Sequence, residues 1–291
     1  MNELLITGAT GKLGSQVLAL LVEKMDVHNI AAIARDPAKL EAYQAKGVKV
    51  IQADYDQPAS LDKAFEGIDT LYFVSASDID KRREQHENVV NAAKKAGIRH
   101  VVYTSFQRKD ETPGSPIAPV AQVHLQTEQW LKESGMTYTI LKHALYSDVV
   151  PMFIGDQVLE TGVVYQPAGD GKVSFASRTD MAEVGVNVLT SAGHENKTYE
   201  IAGSQSYSYA DVAEMLSVIG GKPVHYVAPS VEEFTKAMKD AGVSDDMIEL
   251  LVMFNLGIKQ GEFDVPDDTL EKLLGRKPED LSEFLKKVYA K

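Results

Sequence analysis

Cysteine is absent from the 291 residues, so the chain holds no disulfide framework, no thiolate nucleophile and no cysteine-containing metal site. No apolar run approaches the roughly 18–20 residues of a membrane span. The first apolar strand opens at residue 2 or 3, which is read as leaving no room for a signal peptide. Basic residues are in the minority: 30 Lys and Arg against 42 Asp and Glu give a formal charge of −12. That balance opposes general attraction to nucleic acid or anionic lipid while permitting a local basic pocket. Repeats, low-complexity tracts and proline-rich linkers are missing as well. What remains is an ordinary globular composition, 44% hydrophobic and 25% charged. The length suits one large α/β domain with an appended lobe. The expectation is a soluble cytoplasmic protein with neither a nucleic-acid nor a membrane partner.

Gly8, Gly11 and Gly14 follow the apolar strand Leu4–Thr7, and Ser15–Lys24 continues in helical rhythm through Val17, Leu18, Leu20 and Leu21. A tight strand-to-helix turn needs a residue free of Cβ clashes at Gly8. Gly11 lets a pyrophosphate approach the backbone, and Gly14 lets the helix lie close on the sheet. The first amides of that helix, with its dipole, then face the phosphate. A glycine-rich βα turn without a ligand has the same spacing; the position directly after an apolar strand favours a dinucleotide.

Strands are expected at Leu4–Thr7, Ile30–Ala34, Val48–Ala53, Thr70–Val74, His100–Thr104 and Thr137–Leu141. Helical stretches fall between them at Gly14–Lys24, Pro37–Ala45, Pro58–Phe65, Arg82–Ala96 and Val120–Glu133. Short apolar runs separated by amphipathic helices predict parallel strands joined by right-handed crossovers. The fold class is therefore α/β: a Rossmann-like, doubly wound parallel sheet with a smaller, mainly helical C-terminal substrate lobe. Past residue 145 the rhythm loosens, with strands at Val173–Ala176 and Thr198–Ala202 around a helix at Asp180–Thr190, then helices and one strand near Val224–Val227. The expected boundaries are residues 1–146 plus about 179–204 for the dinucleotide domain, and about 147–178 plus 205–291 for the lobe.

Ligands in such sheets bind beyond the carboxyl ends of the strands. The second strand ends Ala34-Arg35-Asp36-Pro37, about 20 residues past the glycine turn. An acidic residue there accepts from a ribose 2′-hydroxyl, whereas an arginine pairs a 2′-phosphate. Arg35 favours NADPH over NADH, with Lys39 a second candidate cation; the alternative is a solvated arginine beside an acidic Asp36. At the end of the third strand, Asp54 either accepts from an adenine amino group or caps its loop.

Gly-Ala-Thr-Gly-Lys-Leu-Gly, Ala-Arg-Asp-Pro-Ala-Lys, Ala-Asp-Tyr-Asp, Tyr-Thr-Ser-Phe and the terminal Leu-Leu-Gly-Arg-Lys-Pro-Glu-Asp-Leu-Ser-Glu-Phe are in the sequence. With these motifs, nearly the whole chain resembles the NmrA-like atypical short-chain dehydrogenase/reductases. It is most similar to their branch of type 2 NAD(P)H:quinone oxidoreductases and triphenylmethane- and azo-dye reductases. The resemblance implies NADPH lying between a Rossmann-like domain and a small substrate lobe. It implies phosphate contacts at Gly8, Thr10, Gly11, Lys12 and Leu13, a 2′-phosphate contact at Arg35, and adenine contacts at Asp54 and Tyr55. Val74, Ser75 and Ala76 are implied along the middle of the cofactor. Thr104, Ser105 and Phe106 are implied near the nicotinamide, which the loop carrying His143 and Ala144 flanks. His143 stands where relatives often carry asparagine.

The larger superfamily uses a Tyr-x-x-x-Lys pair on the helix after the fifth strand, the lysine lowering the tyrosine pKa for proton transfer. Here that helix carries no tyrosine, and His124-Leu-Gln-Thr-Glu128 stands in its place. Tyr138 and Lys142 match the spacing but lie on the sixth strand, where four steps separate them by ~13 Å. An acceptor that takes hydride without a strong acid, such as a quinone or cationic dye, fits this composition. His124 either serves that site or pairs with Glu128 on the helix surface. Two ligands at most leave His124 and Glu128 short of a metal site, so no metal is expected, and no flavin motif is present. Tyr146, Met152 and Phe153 offer an apolar wall for a flat acceptor, with lobe core the alternative for Met152 and Phe153. Asp180 is expected to cap a helix, as is Ser208. The primary reading is an NADPH-dependent reductase of quinones or dye-like aromatics, with Phe106, His124 and Tyr146 shaping the slot. The alternative is a non-enzymatic NAD(P)-binding redox sensor, and a sugar-nucleotide epimerase lacks its tyrosine. Expected partners are a small aromatic substrate and, as an open option, a second copy of the chain.

Overall fold

The computed structural model describes residues 3–290. Six strands and the helices between them alternate along the first half of the chain. They are β1 (Glu3–Ile6), α1 (Gly14–Lys24), β2 (Ile30–Ala34), α2 (Glu41–Gln44), β3 (Lys49–Gln52), α3 (Pro58–Ala64), β4 (Ile68–Phe73), α4 (Arg82–Ala96), β5 (His100–Phe106), α5 (Ala118–Glu133) and β6 (Thr137–His143). Strand Lys197–Ile201 adds a seventh, giving the order β3-β2-β1-β4-β5-β6 and then the late strand. Register is parallel throughout the central pairs, with Leu5 opposite both Ala31 and Leu71. The late strand runs the same way as β6: Asn196 N bonds Tyr138 O at one end, and Ala144 N bonds Ile201 O at the other.

All five residues of β2 are buried, as a strand covered on both faces requires. Alternate residues separate the two faces. Leu5, Ala31, Ile33, Leu71, Phe73, Val101, Tyr103 and Ile140 share one core with Leu61 of α3 and Val89 and Ala93 of α4. On the other side α1 buries Val17, Leu18 and Leu21 and packs against helix Arg178–Thr190. Each such aliphatic side chain contributes about 1.5–3 kcal/mol on burial, so packing rather than helix propensity holds α1 in place. Gly185 meets Tyr72 in this layer: a Cβ there would sit 2.6 Å from the Tyr72 hydroxyl oxygen.

The chain divides into two compact units, one of residues 1–106, 120–143 and 178–200, the other of residues 107–119, 144–177 and 201–291. Residues 107–119, which strand–helix rhythm attributes to the first unit, belong to the second. There the buried Glu262 carboxylate accepts from Lys109 N at 3.2 Å, Asp110 N at 2.9 Å and Ser115 Oγ at 2.8 Å. The second unit is mainly helical, with helices such as Tyr209–Gly220, Val231–Asp240 and Asp245–Lys259. Ser208 and Asp211 form a capping box, as do Ser230 and Glu233.

Three local expectations change. Residues 37–45 form a 3-10 turn, Pro37–Leu40, followed by the single-turn α2, because Asp36 caps the turn and Leu40 is buried between the pieces. Of the strand expected at Val173–Ala176, the only ladder is at Lys172–Val173, while Ala176 makes an isolated bridge to Tyr146. Beyond it, Ser174 N bonds Phe263 O and the Ser174 hydroxyl accepts from Val265 N. Asp180 lies inside the first turn of helix Arg178–Thr190 and not at its cap. Among the described residues no helix is long and apolar enough to cross a membrane, and no cluster of His, Asp and Glu could hold a metal ion.

Candidate active site

The carboxyl ends of β1 to β6 present the residues singled out above. After β1, Gly8 has φ +60°, a left-handed conformation that costs glycine nothing. Gly11 N returns to Gly8 O at 2.9 Å, and Ser15 N bonds Gly11 O at 3.0 Å. A Cβ on Gly14 would lie 2.3 Å from Gly8 O and 2.7 Å from its carbonyl carbon. What Gly14 avoids is therefore the backbone of the turn itself. The first turn of α1 has no side-chain cap and no acidic residue. Among the described residues, the amides of Lys12 and Leu13 donate to no protein acceptor. Thr10, Gly11 and Lys12 are exposed. Uncapped amides at a helix N-terminus fit a dinucleotide phosphate.

Arg35 and Lys39 are exposed at the end of β2. Asp36 is engaged locally, its Oδ1 accepting from Ala38 N at 3.2 Å as the cap of the following turn. Arg35 and Lys39 are the cations presented at this strand end. Asp54 Oδ1 accepts from Asp56 N at 3.1 Å, so this carboxylate caps its loop. The Tyr55 hydroxyl lies 2.5 Å from Thr7 Oγ1 and 2.8 Å from Val74 O. Its ring packs edge-on against Phe73, 5.9 Å between centroids, and burial raises the phenol pKa. Tyr55 thus braces the ends of β1 and β4.

Three consecutive amides after β4 are pinned by side chains from three different elements. Val74 N donates to Thr7 Oγ1, Ser75 N to Thr104 Oγ1 and Ala76 N to His86 Nε2, each at 2.9 Å. A loop held at every amide is preorganised, which lowers the ordering cost of binding a ligand. Thr104 and Ser105 are buried on β5; Ser105 Oγ donates to Glu128 Oε1 at 2.5 Å. Their function here is to hold the Val74–Ala76 loop and α5 against the sheet.

His124 is buried at 4% exposure, not displayed on the helix surface. Its Nδ1 lies 2.7 Å from the Tyr103 hydroxyl, and its ring sits beside Phe106 with centroids 5.8 Å apart. Phe106 and His124 are thereby brought together. His143, at the end of β6, is 2% exposed, and burial pushes its imidazole down to about 3, which keeps it neutral. Tyr138 packs against the core of the sheet and Lys142 pairs with Glu200 at 3.4 Å, a structural role for each. In the second unit, Ala144 is buried and Tyr146 is half-buried, its backbone bridged to Ala176. Phe153 is core, 6.0 Å from Phe254, whereas Met152 is 51% exposed.

Sequence reasoning passed over Thr7, His86, Tyr103 and Thr127. Only α4 carried a signal: Arg82, Gln85 and His86 are polar residues on the same helical stripe as Val89 and Ala93, the face that is buried. Tyr103 lies in an apolar strand and reads as core.

Residues 1–285 match the NmrA-like family. The crystal structure of an NADPH-dependent quinone oxidoreductase from Escherichia coli, complexed with NADPH, superposes with a TM-score of 0.91 at 36% identity, covering 98% of this chain and 99% of that one. Triphenylmethane reductase from Citrobacter sp., complexed with NADP(H), superposes at 0.90 with 35% identity over 98% and 99% of the two chains. An NAD(P)H azoreductase of Xenophilus azovorans is 33% identical over 288 residues, 97% of this chain and 96% of its own. The glycine turn, the strand order and these full-length similarities agree, and the chain belongs to the NmrA-like family of atypical short-chain dehydrogenases/reductases.

Proposed function

We propose that the protein is an NADPH-dependent reductase delivering hydride directly to a quinone or a similar electron-poor, dye-like aromatic acceptor. The protein is an NAD(P)H-dependent oxidoreductase, as are the relatives that span its full length. NADPH, when bound, supplies the hydride. The uncapped amides of Lys12 and Leu13 receive the pyrophosphate, Arg35 the 2′-phosphate, and the pinned Val74–Ala76 loop the middle of the cofactor. Thr104, Ser105 and Phe106, with His143, stand near the nicotinamide in this reading.

One observation carries the choice of acceptor: the buried positions of α5 include His124, Thr127 and Glu128 but no tyrosine–lysine pair. A ketone needs a proton at its oxygen as hydride arrives. A quinone stabilises the resulting anion within its own ring, so orientation and electrostatics suffice. The test follows NADPH consumption against a panel of quinones, azo dyes and triphenylmethane dyes, with simple ketones as controls. Turnover on the aromatic acceptors and none on the ketones is expected. Tight binding of NADP⁺ and NADPH with no turnover on any acceptor would favour the redox-sensor reading instead.

A further inference from the structure

Glu262 stands at the turn that ends helix Asp245–Lys259. Gly261 has φ +78°, its N–H bonds Ile258 O at 2.9 Å, and Glu262 N returns to Gly257 O at 3.0 Å. In this Schellman pattern the residue after the left-handed glycine is commonly apolar and packs back on its own helix. Here that residue is a carboxylate, and it is 4% exposed. A buried charge is costly unless hydrogen bonds meet it. The side chain is therefore explained by what it holds and not by the helix it follows.

What it holds is both ends of the connection between β5 and α5. Oε2 accepts from Lys109 N at 3.2 Å and Asp110 N at 2.9 Å, three and four residues past Phe106, the last residue of β5. Oε1 accepts from Ser115 Oγ at 2.8 Å. The same hydroxyl oxygen takes Ile117 N at 3.3 Å, one residue before α5 begins at Ala118. Two neighbours tighten the arrangement: Gln107 Nε2 donates to Val265 O at 3.1 Å, and a Cβ on Gly257 would lie 2.7 Å from Ile117 Cγ2. Between the anchored ends, residues 111–114 are exposed. We propose that Glu262 is a positioning residue for hydride transfer, because its clamp fixes the path of the chain from Phe106 to the start of α5. The placement of Phe106 near the nicotinamide rests on the reductase reading. Glu262 itself touches no reacting atom. Transfer between two held reactants depends steeply on geometry, and a displacement of about 1 Å caused far from the chemistry costs about 10²-fold. In the same reading the phosphates are held by the glycine turn and Arg35, outside this connection. The clamp thus governs the rate of transfer and not the affinity for NADPH.

Amide hydrogen exchange of the full, unliganded chain reads the clamp. In the parent protein the Lys109 and Asp110 amides are expected to exchange slowly. In Glu262→Leu, which keeps the bulk and removes the acceptors, they should exchange at the rate of a free peptide. Glu262→Gln should keep most of the protection, since its amide oxygen takes both N–H groups while its NH2 turns to Ser115 Oγ. Single-turnover reduction of a quinone supplies the second arm. Glu262→Leu should slow it about 10²-fold with the Kd for NADPH unchanged, and Glu262→Gln should recover most of that loss. Ser115→Ala, which frees only the α5 end, should lie between the two, and it carries the comparison with Glu262→Gln if Glu262→Leu does not fold. Unprotected Lys109 and Asp110 amides in the parent protein overturn the clamp. Loss of protection without loss of rate, or a rate that falls in step with NADPH affinity, overturns the positioning role. If the parent protein reduces no quinone, the reductase reading falls and the positioning role with it, while exchange still decides the clamp.

Discussion

Substitution of Gly14 by alanine separates two opposing effects whose signs differ. Gly14 is the first residue of α1 and has no positive φ, so alanine fits the backbone. Propensity alone then favours it by roughly 0.4–1 kcal/mol. Against this, the added Cβ would lie 2.3 Å from Gly8 O and 2.7 Å from the Gly8 carbonyl carbon. Carbon contacts are comfortable near 3.5–4.0 Å, so the turn must retreat by about 1 Å. The colliding atoms are backbone and cannot rotate aside. Overpacking of this kind costs about 1–3 kcal/mol. The displaced Gly8 carbonyl also holds Gly11 N at 2.9 Å, a bond worth about 1 kcal/mol. The sum outweighs propensity, and Gly14→Ala should be net destabilising by about 1–3 kcal/mol in urea-induced unfolding. NADPH affinity should fall together with stability, since the moved turn carries the phosphate amides. A Gly14→Ala variant as stable as the parent protein, or more so, would refute the reasoning.

At Gly11 the corresponding Cβ would meet only Gly8 O, at 3.2 Å; Gly11→Val should keep a normal melting profile and lose NADPH binding in calorimetric titration. Arg35→Ala should weaken NADPH by about 1–3 kcal/mol, the scale of a charge-assisted bond, and leave NADH unmoved; equal losses for both would remove the 2′-phosphate assignment. His143 has a folded pKa depressed to about 3 against about 6.5 unfolded. The unfolded chain therefore binds the extra proton first, and this contribution to stability is present above about pH 6.5 and lost as pH falls toward 3. His143→Asn should flatten the decline in unfolding free energy between pH 6 and 4 by roughly 1 kcal/mol per pH unit.

The sheet was legible because buried parallel strands are nearly continuous apolar runs, and Ile30–Ala34 and Val101–Tyr103 are of that kind. The glycine turn was legible because its spacing answers a backbone requirement, although the atom that Gly14 avoids emerged only in three dimensions. Local pattern failed wherever a distant residue decides the outcome. Glu262 draws residues 109–115 into the second unit across about 150 positions of chain. Ser174 leaves its ladder for Phe263 and Val265. The contacts of Tyr103 with His86 and His124 were hidden for the same reason. They join α4, β5 and α5, and no periodicity within one element reports a meeting of three. His124 itself was found by the absence of a tyrosine, and its burial and partner came from the fold.

The central claim is direct hydride transfer from NADPH to an aromatic acceptor, and stereospecifically deuterated NADPH tests it most directly. With deuterium at one face of the nicotinamide C4, single-turnover reduction of a quinone should show a primary isotope effect and loss of label from the cofactor. Deuterium on the opposite face should show neither. Oxidation of NADPH without an isotope effect from either face, or no oxidation by any acceptor in the panel, would contradict the account.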